Sequence, residues 1–413
     1  MKKIIVCIAT LDTKGQEMKF VKDIIERRGH KALIVDDGIL GKPVIPPDIT
    51  REEVAIAAGT TLDEIKAIGN ESKAIEMMAS GLRNLVKNLY HSGRLDGVIS
   101  IGGGMGTSMA TAAMKELPLG VPKVMVSTKV AQSGTGKEYM GTKDITMVSS
   151  VADIAGLNRL TQRIATNAAG AIVGMVETPK VEFVDRPLIV ISMNGTTTKC
   201  GSRVMSMLEG ESYEVVVFHS IGVGGRALEE FIRNEPVKAV VELGLNEIGN
   251  ELFGGMASAG PTRLEAAGEK GILQIITPAS VDFINFLAPD TVPSRYKSRN
   301  LFFHNPQATT LRLTGDELIS VAEVMAEKLN RATGPVRVLI PIHGFSSWDQ
   351  RGKSFYDPEA DRVFIDCLKR RLRSSIMVSE IEVHINDKQF ADAIVEEIRK
   401  NAPKREGSES KSF

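Results

Sequence analysis

With 413 residues, 43% hydrophobic and 25% charged, the chain is long enough for two cores of ordinary size and too apolar to stay disordered along its length. Its 51 Lys and Arg balance 51 Asp and Glu, so no overall field draws it to nucleic acid or to an anionic membrane. Cys7, Cys200 and Cys367 are odd in number, far apart and without metal-type spacing, which points to a reducing, cytoplasmic compartment rather than a disulfide framework.

In chain order, Ile4 to Ala9 reads as a buried first strand, because Asp12 and Lys14 cut its apolar run short of a signal or spanning segment. Ala32 to Val35, Val98 to Ile101 and Val124 to Val126 continue as strands, with helical segments between them. Thr61 to Tyr90 reads as a long helical stretch opened by a Thr61/Glu64 capping box and broken or bent at Gly69 and Gly81. A helical pattern over Ile154 to Val176 stops at the proline-flanked stretch Pro179 to Pro187. Strand candidates then resume at Leu188 to Ser192, Val215 to Phe218, Ala239 to Leu243, Ile272 to Ile276 and Val336 to Ile340. A helix opened by a Thr314/Glu317 capping box carries the apolar stripe Leu318, Val321, Ala322, Met325, Leu329. This alternation predicts an α/β protein of two doubly wound Rossmann-like domains with mostly parallel sheets, residues 1–182 and 183–401, ending in a disordered tail over 402–413.

The sharpest chemical signal is Val98 to Ser108, VISIGGGMGTS, where a buried strand runs through Gly102, Gly103, Gly104 and Gly106 into a helix read from Met109 to Leu117. Glycines let the main chain approach an anion, the helix N-terminus supplies unpaired N–H groups, and Thr107 and Ser108 add hydroxyls, so phosphate is the expected ligand. The spacing matches neither the dinucleotide fingerprint nor a Walker A loop. A tight, capped strand-to-helix turn would look the same.

Other residues at strand ends join this set. Thr10, Asp12, Thr13 and Lys14 follow the first strand: Lys14 is a phosphate partner and Asp12 a magnesium holder through water, although a Thr13/Gln16 capping box explains the segment equally. Asp36 and Asp37 end the second strand where an acid meets a ribose hydroxyl, or where a plain Asp-Asp-Gly turn sits. Ser127 to Gly141 is rich in Gly, Ser and Thr, the composition of a loop closing over a nucleotide or of any polar loop. In the second half, Pro261 stands at an expected first helical position with Arg263 and Glu265 just inside, a second anion-site candidate. His343, Ser346 and Asp349 are the residue types of a hydrolytic triad, but neighbours in one loop do not reach triad geometry. His219, His304 and His343 meet only if the fold brings them together.

Across nearly the whole chain these segments resemble the Tm-1-like ATP-binding family, also called UPF0261. The likeness runs through Thr10 to Lys14, Ile101 to Thr107, Leu117 to Thr128, Ser150 to Asn158, Phe218 to Arg226, Ser258 to Arg263, His304 to Pro306, Tyr356 to Asp361 and His384 to Asp387. The resemblance implies two Rossmann-like subdomains, ATP with Mg2+ held mainly by the first, and a homodimer or higher homo-oligomer. Carried onto this sequence, its nucleotide contacts are Thr10, Asp12, Thr13, Lys14, Gly102 to Thr107, Ser127 and Thr128. Glu242 to Glu247 departs from the acidic, threonine-rich stretch expected there. Two readings follow: an ATP-using protein acting on a small metabolite between its domains, or a nucleotide-dependent regulatory module without turnover. A nicotinamide site is disfavoured by the broken fingerprint, and membrane and nucleic-acid partners are not expected.

Overall fold

A computed structural model describes residues 2–131, 135–179 and 186–402. The chain divides into two compact units, residues 1–182 and 183–413. The expected tail from 403 onward, most of the Pro179 to Pro187 stretch and part of the Ser127 to Gly141 loop lie outside the described residues.

The first unit runs β1 (Ile4–Ala9), α1 (Leu11–Arg27), β2 (Lys31–Asp36), α2 (Arg51–Ala57), α3 (Leu62–Ala67), α4 (Glu71–His91), β3 (Gly97–Gly102), α5 (Gly104–Met114), β4 (Lys123–Ser127), α6 (Thr135–Tyr139), β5 (Thr146–Ser149) and α7 (Arg159–Glu177). Its strands form one parallel sheet in the order β2-β1-β3-β4-β5. Alternate residues of each strand feed opposite faces: Cys7, Ile34 and Ile99 pack against α1 and α7, while Val6, Leu33 and Val98 pack against α2 to α5. Helices α1 and α5 therefore leave the neighbouring strands β1 and β3 on opposite sides. Such a switch point opens a crevice at the carboxyl edge of the sheet, where doubly wound folds of this strand order take their ligands.

Local expectations are met in part. Thr61 to Tyr90 breaks at Gly69 as expected, with φ +64°, into two helices, whereas Gly81 makes no break and stays inside α4; a Cβ at Gly81 would stand 2.0 Å from the Val54 carbonyl oxygen. The capping boxes at Thr61/Glu64 and Thr314/Glu317 both form. The Thr13/Gln16 box does not, because α1 begins at Leu11 with Thr10 as its first flanking residue. Helix α5 begins at Gly104, five residues before the expected start, so the glycines form its first turn.

The second unit runs β6 (Leu188–Met193), α8 (Thr198–Gly210), β7 (Glu214–His219), α9 (Val223–Asn234), β8 (Val237–Leu243), α10 (Asn246–Phe253), α11 (Ala266–Lys270), β9 (Leu273–Ile276), β10 (Phe283–Phe286), β11 (Leu301–Asn305), β12 (Ala308–Arg312), α12 (Gly315–Asn330), β13 (Val336–Pro341), α13 (Pro358–Arg371), β14 (Met377–Ile381) and α14 (Lys388–Asn401). Six parallel strands pair in the order β14-β13-β9-β8-β6-β7, and β10-β12-β11 form a small antiparallel sheet that the strand pattern did not announce. Helices α8 and α14 cover one face of the large sheet, with Val204, Leu208, Phe390 and Ile394 in their core. Among the described residues no helix is long and apolar enough to cross a membrane.

Candidate functional site

The carboxyl edge of the first sheet collects the glycine turn. Gly103 is the residue before α5 in an ordinary extended conformation, and no side chain caps the helix. The N–H of Thr107 is the first to be taken up, by the Gly103 carbonyl at 2.9 Å. The N–H groups of Gly104, Met105 and Gly106 have no acceptor among the described residues, and Met105 is exposed. Gly102 is needed for close packing, since a Cβ there would stand 3.1 Å from the Gly106 Cα, whereas one at Gly103 would meet nothing within 4 Å.

Thr107 and Ser127 lie inside rather than at the rim. Their hydroxyls share a hydrogen bond of 2.7 Å, and the Ser127 oxygen also accepts from the Lys129 N–H, which ties the turn to the end of β4. Thr128 donates its N–H to the Gly102 carbonyl at 3.4 Å. The side chain reaching over the turn is that of Lys129: its Cε lies 3.2 Å from where a Gly104 Cβ would stand, and its ammonium pairs with no carboxylate among the described residues. Lys14 instead donates to the Ile154 carbonyl at 2.6 Å, and Thr13 is exposed.

Acceptors gather on the β1 side of the turn. Thr10 Oγ1 stands 3.9 Å from the Gly106 Cβ position and donates to Asp37 Oδ1 at 2.7 Å. Asp37 is fully buried, its Oδ2 has no partner, and burial pushes its carboxyl up to about 7 against the lowering by Thr10. Asp12 Oδ1 is likewise buried without a partner, beneath the Gly41 turn. Asp36 faces inward: it accepts from the Leu11 and Gly38 N–H groups and from Arg51 Nε at 2.7 Å, so it clamps the β2 to α2 loop and offers nothing to a ribose. Of the acidic pair named at the end of the second strand, Asp37 is the one with an oxygen to spare. Lys129 is the site residue that the sequence did not single out: it stands inside the Ser127 to Gly141 loop, one position beyond Thr128, with nothing in its spacing to mark it.

The two sides carry opposite chemistry: three amides and a lysine toward an anion, an unpaired Asp12 oxygen toward a cation. Among the described residues no group of three or more His, Cys, Asp or Glu is arranged to hold a metal ion. One carboxylate with waters and phosphate oxygens is nevertheless a normal Mg2+ environment, so the donor set fits a cation that arrives with its phosphate.

In the second unit the corresponding crevice is filled. Asn194 Nδ2 donates to Asn246 Oδ1, Asn246 Nδ2 to Asn285 Oδ1, and Asn194 Oδ1 accepts from Thr196 and Ser280. Arg263 is no anion ligand: Pro261 lies in a turn, the helix starts at Ala266, and the guanidinium is buried among Glu229, Glu242 and Glu247. His219 ends β7 and His343 follows β13, four strand spacings or about 19 Å apart, so they do not converge. The His304 side chain lies outside the described residues. Ser346 Oγ donates to Asp282, and the His384 ring meets the Ser346 carbonyl rather than its hydroxyl, which leaves no triad there.

Asp282, Asp349 and Asp361 surround Arg312, and burial first, then Asp349, push Asp282 up to about 7 and Asp361 up to about 9. Both carboxyls hold a proton more tightly in the folded chain than in the unfolded one, so the folded state binds more protons above about pH 4. The melting temperature should therefore fall as pH rises from 5 to 9, and Asp361→Asn should flatten the decline. Scanning calorimetry at four pH values checks this, and equal slopes in both proteins would contradict it.

Comparison with known proteins agrees with the two-part architecture. The model for the N-terminal domain of an uncharacterised protein family, UPF0261, matches residues 3–181, and that for its C-terminal domain matches residues 186–402. The chain is 41% identical over 400 residues to a UPF0261 protein of Clostridium tetani, covering 96% of this chain and 98% of that one. A UPF0261 protein of Rhizobium meliloti is 36% identical over 397 residues, at 96% and 98% coverage. The ToMV resistance protein Tm-1(GCR237) of Solanum lycopersicum is 32% identical over 425 residues, covering 96% of this chain but 56% of the tomato protein. With both domain models matched in order and two bacterial relatives alike over 98% of their length, the chain belongs to the UPF0261 family.

Proposed function

We propose that the first unit binds ATP with Mg2+ at the carboxyl ends of β1 and β3. The observation that supports it is the set of three N–H groups, Gly104, Met105 and Gly106, left without acceptors at the switch point beneath the Lys129 side chain. Phosphate oxygens accept from the amides and from Lys129. Mg2+ neutralises the phosphate charge when bound, and Asp12 holds it through water. Thr10, its hydrogen committed to Asp37, presents only lone pairs to the ligand.

Calorimetry on the whole chain tests this. MgATP should give saturable binding, EDTA should weaken it at least tenfold, and absence of heat with MgATP would defeat the reading. The same sample assayed for phosphate release separates enzyme from module: release lost in Asp12→Asn indicates turnover, and tight binding without release indicates a regulatory role. The tomato relative's designation as a resistance protein favours the second.

A further inference from the structure

We propose that the tip of the β2 to α2 loop, residues 40–43, is a gate over Asp12 that Arg51 latches shut until ligand enters. The inference rests on the nucleotide reading of the first unit and concerns how that site is reached.

Asp12 Oδ1 is buried with no hydrogen-bond partner, so a hydrated cation has no path to it as the loop stands. The cover is the Gly41 turn. Gly41 takes φ +57°, and a Cβ on it would stand 2.3 Å from Asp12 Oδ2, so the main chain lies directly on the carboxylate and leaves no room for a side chain. Two further buried polar atoms at the base of the loop have no partner, Asp37 Oδ2 and Arg51 Nη2, the latter 2.6 Å from where a Gly38 Cβ would stand. Buried donors and acceptors without partners favour a conformation in which water or a ligand can reach them.

What opposes opening is a latch on a short tip. The loop is anchored on both sides: Gly38 donates its N–H to Asp36 Oδ1 at 3.0 Å, Val44 to the Leu11 carbonyl at 3.1 Å, and Asp48 and Ile49 to the Ile34 carbonyl at 2.9 and 3.0 Å. Between these anchors Leu40, Gly41, Lys42 and Pro43 are exposed. Among the described residues the hydrogen bonds that hold them come from Arg51, whose Nη1 donates to the carbonyls of Leu40 and Gly41. Arg51 is itself fixed, 4% exposed, by its Nε bond of 2.7 Å to Asp36. One guanidinium therefore decides whether the tip stays down, and Leu40, 69% exposed, buries little of its side chain in the shut position.

A site that is open for only part of the time binds with an affinity reduced by the open fraction, so loosening the latch should raise affinity, whereas altering a residue that merely braces the site should lower it. Calorimetry with MgATP on the whole chain reads that sign. Arg51→Lys keeps a cation beside Asp36 but loses the fork that reaches two loop carbonyls, and it should bind about fivefold tighter. Pro43→Gly, at an exposed position, loosens the tip without altering the latch and should shift affinity the same way. A thiol-reactive, environment-sensitive dye on Leu40→Cys gives a second readout, since Cys7, Cys200 and Cys367 are buried. MgATP should change its emission, and Arg51→Lys without nucleotide should show part of that change. Unchanged or weaker binding in both folded variants, or emission that MgATP leaves alone, overturns the gate while the nucleotide site stands. Absence of MgATP binding in the unmodified chain and both variants overturns the two readings together.

Discussion

Arg263→Met should destabilise the second unit by about 3–5 kcal/mol, because it leaves three carboxylates buried without their only guanidinium. The Arg263 Nε lies 2.7 Å from Glu247 Oε2, and its two terminal nitrogens reach Glu242 at 2.8 and 2.5 Å, with Glu229 at 3.2 Å. Glu229 also accepts the N–H groups of Leu264, Glu265 and Ala266, and Glu247 those of Gly222 and Gly225. The cluster thus joins β8, α9, α10 and the turn before α11. Burial raises the Glu247 carboxyl and Arg263 lowers it, while the surrounding carboxylates hold the Arg263 guanidinium well above its usual value despite burial. Without the arginine the glutamates keep the burial penalty and lose the compensation. A drop of about 10 °C in melting temperature is expected at pH 7.5, shrinking as pH falls, because burial favours the neutral form of a carboxyl left without its counter-charge. Arg263→Lys should recover little, since an ammonium cannot replace a fork that spans three acids. A midpoint unchanged at pH 7.5 would contradict this account of the cluster.

Gly106→Val should weaken MgATP binding at least a hundredfold, about 2.8 kcal/mol, with the fold retained. A side chain there projects toward Thr10 Oγ1, 3.9 Å from its first carbon, and fills the space between the β1 end and the open amides of α5. Gly103→Ala is the control: its backbone is ordinary and its Cβ meets nothing within 4 Å, so binding should stay near that of the unmodified chain. Gly104→Ala falls between, since the new methyl displaces the Lys129 stem. If Gly106→Val folds and binds MgATP normally, the phosphate does not sit on this turn, whatever else the protein does.

Much of the frame was legible because its signals are local. Continuous Ile and Val runs gave the strands β1, β3 and β8, and the Thr314/Glu317 spacing gave the start of α12, since a capping box closes within four residues. Short β5, with three half-buried residues and one exposed, and the antiparallel β10 to β12 carry no such pattern; their pairing rests on partners elsewhere in the chain. The glycine turn was visible as a place where the main chain comes close to something. Which lysine reaches it was not: Lys14 is nearer in sequence to the first strand's end, yet it is drawn to the Ile154 carbonyl while Lys129 crosses the turn.

Sequence alone determined the alternation of strands and helices, the exposed-amide turn after β3 and family membership, because each depends on residues that are neighbours in the chain or on the identity of whole segments. Tertiary structure alone decided that Asp37 rather than Asp36 keeps an unpaired oxygen, that Arg263 is consumed by three glutamates, and that the Gly41 turn lies on Asp12. Charges act through space and desolvation acts through burial. Neither distance nor burial is written in the spacing of residues along a chain.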